Sequence, residues 1–403
     1  MINPCQYLRP SHFILIFCQL LLVKAFFLES YRVSSGSMAP TILGPHTTHT
    51  CQTCGHSWQV GQNAKQPAKS IDCPSCGQST VANSRHPGMT FFVNKLAFVF
   101  RQPQRWDLAV FRFFGTMVIK RIIGLPGETV ELINGDVYIN GKLCRKTLAE
   151  SERVRILVFD SNTPCATMRW QVENGVTRQN GEFHLISKNA TASWITYRHI
   201  FPGEQKLAPL RNEYVYNSNR RVPLTFAHDF SVECIVECQS STGQFWLCLS
   251  DGSDKVRAEI PWGIPDTRAT LSTTDSVRTS AKMEMTGKSY LVKMMFVDRR
   301  AVVEVAGKSM LLDLPPLPTG NRVFQPLKIG VVQGEVLVKN VRLFRDVYYT
   351  QEGRNGVNGQ PVTLGPDCYF VLGDNSPVSR DSRFWPNESV TTDQLIGQPI
   401  GFR

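Results

Sequence analysis

The chain is predicted to be mainly β, and three observations carry that expectation. Apolar runs rich in Phe, Val and Leu span Met89 to Phe100 and Trp106 to Phe114, with the polar turn Arg101 to Arg105 between them. The next runs, Thr129 to Leu132 and Val137 to Ile139, are separated by Asn134-Gly135-Asp136 and followed by Asn140-Gly141, the turn chemistry of a hairpin array. From Glu150 to Tyr349, short β-rich stretches return at close intervals, punctuated by Gly, Asn, Asp and Pro. Phe230 to Glu237, Phe245 to Leu249, Tyr290 to Phe296, Ala301 to Val305, Leu327 to Val332 and Val336 to Phe344 are the clearest. That spacing is the pattern of an antiparallel β-sandwich.

Composition bounds the class. A chain of 403 residues allows one to three domains, and 42% hydrophobic against 19% charged residues describes a folded protein, not a disordered one. The net charge of +11 suits an anionic membrane face or nucleic acid. No nucleic-acid-binding motif is present and the positive charges are scattered, so membrane lipid is the expected partner. Of the twelve cysteines, four form Cys-x-x-Cys pairs. The scattered remainder forms no compact disulfide framework and reads as small buried hydrophobes.

Taken in order, the chain opens with an apolar stretch, Phe13 to Leu28, broken by Gln19 and Lys24. It is slightly short for a membrane span, but no Ala-x-Ala-like cleavage site follows. An uncleaved anchor over 1–30 is therefore expected, and charge alone does not orient it. Directly after it comes Ser34-Ser35-Gly36-Ser37-Met38-Ala39-Pro40-Thr41. A serine beside glycine can present its hydroxyl in a tight turn. That hydroxyl is a poor nucleophile until a base takes its proton.

The candidate base is Lys120, in Val118-Ile119-Lys120-Arg121-Ile122-Ile123-Gly124. Read as a strand, the run puts Lys120 on the face of Val118 and Ile122, with Arg121 opposite. Desolvation among β-branched neighbours lowers a lysine pKa, so a neutral amine is available to accept the Ser37 proton. The competing reading is a lysine snorkelling at a strand edge. Near the C-terminus, Tyr369-Phe370-Val371-Leu372 runs into Gly373-Asp374-Asn375 and a dense polar stretch through Ser379, Arg380, Asp381, Ser382 and Arg383.

Between Ser37 and Lys120 lie Cys51-Gln52-Thr53-Cys54-Gly55 and Cys73-Pro74-Ser75-Cys76-Gly77. This spacing can supply four thiolates in a tetrahedron for a structural zinc, over an insert at 46–82. If the segment is exported, disulfides are the alternative, and vestigial ligands are another. His49 and His56 are spare ligands that a four-cysteine shell does not need.

The serine, lysine and Gly-Asp-Asn motifs, in this order, resemble the type I signal peptidases, membrane-anchored serine proteases. The matching segments are Ser35-Gly36-Ser37-Met38-x-Pro40-Thr41, Arg105-x-Asp107-x-Ala109-Val110-Phe111, Lys120-Arg121-x-x-Gly124-Leu125-Pro126-Gly127, and Gly373-Asp374-Asn375 with Ser379-x-Asp381-Ser382-Arg383. The resemblance implies a signal-peptidase-type β-fold core in two parts, 31–149 and 350–403, behind an N-terminal transmembrane helix. It implies a Ser/Lys dyad of Ser37 and Lys120, with Ser379 orienting the lysine and Ser35 in the oxyanion hole. Arg121 with Asp374, and Arg383 with Asp381, would be structural ion pairs. No catalytic cofactor is implied. The substrate would be the signal peptides of exported precursor proteins, and the catalytic body would sit on the non-cytoplasmic side of the cell membrane.

The chain departs from that pattern in three places. Gly88-Met89 stands where the family usually has Gly-Asp, the four-cysteine insert interrupts the core, and 150–349 is a large insertion. The part from Phe230 to Tyr348 loosely resembles a concanavalin-like jelly roll. A rival reading is therefore a non-catalytic envelope- or carbohydrate-binding protein built on that sandwich. A self-cleaving repressor is a weaker rival, since no helix-turn-helix is present.

Overall fold

The computed structural model describes residues 27–62, 70–163, 166–179, 181–204, 206–218, 220–264, 266–274, 278–283, 288–317 and 321–401. Strands dominate, as the turn-punctuated apolar runs predict. The chain divides into two compact units. The first comprises residues 1–46, 86–131 and 352–403, and the second comprises 47–85 and 132–351.

The first unit is built on a seven-stranded antiparallel sheet. Its order is Leu28–Arg32, Thr90–Asn94, Leu395–Ile400, Leu108–Phe113, Thr116–Gly124, Cys368–Leu372, Val390–Thr391. Strands from distant parts of the chain therefore flank the one carrying Lys120: Ala109 pairs with Lys120 on one side, and Leu372 with Arg121 on the other. Both faces of that strand are covered. Ile119 packs with Val33, Met38, Ile42 and Phe91, while Ile122 packs with Phe111, Tyr369 and Val371.

The apolar segment 13–28 lies outside the described residues up to 26. Among the described residues, no helix is long and apolar enough to cross a membrane. The expected anchor boundary at residue 30 is corrected: Leu28–Arg32 is a strand pairing with Thr90–Asn94. It forms the edge of the sheet, beside Thr90–Asn94.

The second unit holds two antiparallel sheets over one core. One sheet centres on Gly334–Arg345, Phe230–Cys238 and Ser289–Val297, the other on Leu327–Val332, Gly243–Ser250 and Lys255–Trp262. Phe183, Val232, Val236 and Val338 from the first meet Phe245, Leu247, Ile260 and Ile329 from the second. The alternating apolar positions of each strand thus face inward together, the arrangement of a sandwich.

The four-cysteine segment belongs to this second unit, docked by Arg169, which donates to the Pro74 carbonyl at 3.3 Å. Residues 132–149 also group here, not with the serine and lysine, because Lys146 is buried against Asp298 and Asp346. The short helix Leu148–Val154 follows, closed by a Thr147/Glu150 capping box.

Candidate functional site: a serine, a buried lysine and their frame

Ser37 stands in an irregular loop that apolar residues pin to the first unit's core. Met38, Ala39 and Ile42 are fully buried, and the Ala39–Pro40 peptide is cis. The loop is also held from the far end of the sequence. Asn375 donates its backbone N–H to the Ser37 carbonyl at 3.0 Å and its side-chain amide to the Gly36 carbonyl at 2.9 Å. Gly373 is required beside it. A Cβ there would lie 2.2 Å from Ser379 Oγ and 2.5 Å from the Ser37 carbonyl oxygen.

Lys120 reaches Ser37 from the centre of the sheet. Its Nζ donates to Ser37 Oγ at 2.7 Å and to Ser379 Oγ at 3.1 Å. The residue is only 3% exposed, so the snorkelling alternative does not describe it. Burial pulls the amine down from its ordinary value to about 8, helped by Arg383 and opposed by the carboxylates of Asp381 and Asp374. Ser35, exposed at the surface, places its Oγ 3.2 Å from Ser37 Oγ.

Two buried ion pairs brace this group. Arg121 grips Asp374 with two parallel bonds, Nε to Oδ1 at 2.7 Å and Nη2 to Oδ2 at 2.6 Å. It donates a third to the Trp106 carbonyl at 2.7 Å. Arg383 grips Asp381 in the same way, at 2.9 Å for both bonds. Burial alone would raise the Asp381 pKa, but Arg383, Lys120 and the Gly373 N–H hold it below the usual carboxylate range. Such pairs, once desolvated, depend on complete hydrogen bonding, and removing one partner typically costs about 3–5 kcal/mol.

All the residues named from the serine, lysine and Gly-Asp-Asn motifs therefore meet in the first unit. Motif reading left roles unassigned to Thr41, whose hydroxyl donates to Asp374 Oδ2 at 2.5 Å, to Asn375, and to Ser376, which accepts from Arg383. Thr41 and Asn375 stand inside the matching segments, and Ser376 directly follows Asn375.

In the second unit, Cys51, Cys54, Cys73 and Cys76 converge, with all four sulfurs within 4.8 Å of one another. Cys51 Sγ lies 3.5 Å from Cys76 Sγ, and Cys54 Sγ lies 3.7 Å from Cys73 Sγ, too far for disulfides. The two knuckles match. Gly55 N–H donates to the Cys51 carbonyl and Gly77 N–H to the Cys73 carbonyl, both at 2.8 Å, and both glycines have positive φ. Such a donor set can hold a structural metal in a closed tetrahedral shell. His49 and His56 stand outside the cluster, each stacked on Trp58.

The class is thus a β protein in which a buried, weakly basic amine bonds a serine hydroxyl. The family model described as "Signal peptidase, peptidase S26" matches residues 75–194. Signal peptidase I of Rickettsia massiliae is 27% identical over 159 residues, covering 38% of this chain and 51% of that protein. The Rickettsia felis enzyme of the same name is 28% identical with the same coverage. A probable signal peptidase I-2 of Synechocystis sp. is 39% identical over 59 residues, 13% of this chain and 27% of that one. The chain spans about half the length of the Rickettsia proteins it matches. These similarities carry the relationship to the type I signal peptidases that the motifs implied. Among solved structures, the carbohydrate binding module CBM66 from Bacillus subtilis aligns over 43% of this chain and 93% of its own, at 12% identity and a TM-score of 0.27, too low to inform fold or function.

Proposed function

We propose that this chain is a membrane-anchored serine endopeptidase that removes signal peptides from exported precursors. One observation carries the reading: a buried lysine amine, its pKa drawn down to about 8, bonds a serine hydroxyl at 2.7 Å. In the proposed reaction Ser37 Oγ attacks the scissile carbonyl carbon while Lys120 takes its proton. The ammonium then returns a proton to the departing amine, and water releases the acyl group by the same base. Ser379 is a positioning residue that fixes the lysine. The Ser35 hydroxyl and the Ser37 N–H face the developing oxyanion, where loss of one such donor typically costs about 10²–10³ in rate.

The substrate binds as an extended strand, with small residues at the third and first positions before the cut. The apolar segment 13–28 anchors the enzyme in the cell membrane, with the Ser37 unit on the non-cytoplasmic side. Cys51, Cys54, Cys73 and Cys76 hold a structural zinc that takes no part in the reaction.

The test is cleavage of a precursor peptide carrying an Ala-x-Ala site by purified protein and by Ser37→Ala and Lys120→Ala variants. Both variants are expected to lose activity while remaining folded. Equal cleavage by all three proteins rejects the mechanism.

A further inference from the structure

Four aspartates meet at one end of the sandwich, and strand register explains why. Phe230 pairs with Phe296 on one side and Arg345 on the other. Asp229 immediately precedes this row and Asp346 immediately follows it. Asp298 occupies the tight turn after Val297, where Asp298 and Arg299 both have positive φ, the conformation of a two-residue hairpin loop. Asp136 arrives from the Asn134-Gly135 turn. One carboxylate oxygen from each of Asp136, Asp229 and Asp298 lies within 4.8 Å of the other two.

The local cation does not balance this charge. Lys146 Nζ bonds both oxygens of Asp298 at 3.0 Å and Asp346 Oδ2 at 2.8 Å. Neighbouring Arg299 turns away to Asp251 and Asp254. Among the described residues Lys146 is the one cation bonded to any of these four carboxylates, while the buried Arg345 donates instead to the Asp346 backbone carbonyl at 3.0 Å.

A second observation points to a ligand. Asp346 is 7% exposed, yet its Oδ1 is buried with no hydrogen-bond partner. Asp346 lines a cavity of about 70 Å³ together with Asp136 and Asp229. A buried carboxylate oxygen without a donor is strongly disfavoured unless a positive group faces it.

We propose that Asp136, Asp229, Asp298 and Asp346 form a structural site for a hard divalent cation of the calcium type. The donors are all oxygens, which excludes a preference for soft metals. Calcium accepts irregular oxygen sets of six to eight ligands, whereas magnesium demands a near-ideal octahedron. The cavity leaves space for an ion and completing waters. The ion would bind the chain just after it enters the second unit, at Asp136, to the chain just before it leaves, at Asp346. It would thereby close the ends of the inserted segment. This site is separate from the thiolate cluster and does not depend on the peptidase reading.

The experiment uses the full chain in detergent, stripped with a calcium chelator and dialysed to equilibrium against calcium alone. One calcium per chain is expected, with a dissociation constant at or below about 1 mM and a raised Tm. Terbium emission sensitised by Tyr138 and Tyr348, which line the cavity, should appear and be displaced by calcium. Asp136→Asn and Asp346→Asn should each weaken binding by about tenfold or more. No calcium uptake by the unaltered protein at millimolar concentration overturns the proposal, whether or not the variants fold. Uptake that both folded variants leave unchanged overturns it as well.

Discussion

A lysine amine must lose its own proton before it can take one from a serine. Lys120 is held near 8 rather than at the ordinary 10.5, chiefly by burial. The neutral form therefore accumulates as pH rises through about 8. If Lys120 is the base, kcat/KM against pH climbs with an apparent pKa of about 8 and levels off above it, well below the 10.5 at which a solvated lysine would place the rise. A flat profile from pH 6 to 9 is the outcome that removes Lys120 from the role. The same shift sets a stability cost: keeping the ammonium buried disfavours folding below about 8, and the cost fades as pH approaches 10.5. Ser379 acts on this amine through one bond of 3.1 Å. Ser379→Ala is expected to lower kcat with KM little changed, by less than the roughly 10²–10⁴-fold that general-base catalysis contributes. It should also move the pH profile, which a purely structural loss would not do.

At the scale of elements, the strand Cys368–Leu372 and the turn after it decide whether the group assembles. The strand delivers Asp374 to Arg121, and Asn375 to the serine loop. Gly373 makes the close approach possible, since a Cβ would overlap Ser379 Oγ and the Ser37 carbonyl. Gly373→Ala is therefore expected to abolish cleavage by displacing the serine loop while leaving the β signature in circular dichroism intact. Retained activity would show that the loop relaxes at little cost. The motif residues Arg121, Asp374, Asp381 and Arg383 were legible as types and spacings in the sequence. That Thr41 and Ser376 complete the hydrogen bonds of Asp374 and Arg383, and that Asn375 holds the serine loop, was not, because a lone Thr, Asn or Ser carries no periodic or charge signal and its partner can lie more than 300 residues away.

Across the whole molecule, the stretches 47–85 and 132–351 form one unit, although the sequence separates them by the strands Thr90–Asn94, Leu108–Phe113 and Thr116–Gly124. The four thiols sit in that unit with knuckle geometry that suits a tetrahedral metal. Purified protein is expected to contain one zinc per chain. The double variant Cys51→Ser and Cys76→Ser should lose it and melt earlier, since metal binding at such a site is part of the folding free energy. Unchanged zinc content in the variant would place the metal elsewhere.

By itself the sequence determined the β class, the serine and lysine that come together, the pairing of the charged residues and the four-cysteine cluster. The β class and the four-cysteine cluster rest on alternation, turn residues and fixed local spacings, which act over a few residues at a time, whereas the meeting of Ser37 with Lys120 and the pairing of Arg121 with Asp374 were implied by the resemblance to the type I signal peptidases. Only the tertiary structure decided that Leu28–Arg32 is a sheet edge, that the four-cysteine segment docks on the sandwich, and that Asp136, Asp229 and Asp346 line one cavity. Those outcomes depend on strand register and on contacts between segments far apart in the chain. Side-chain burial and charge there are set by neighbours that no local pattern names.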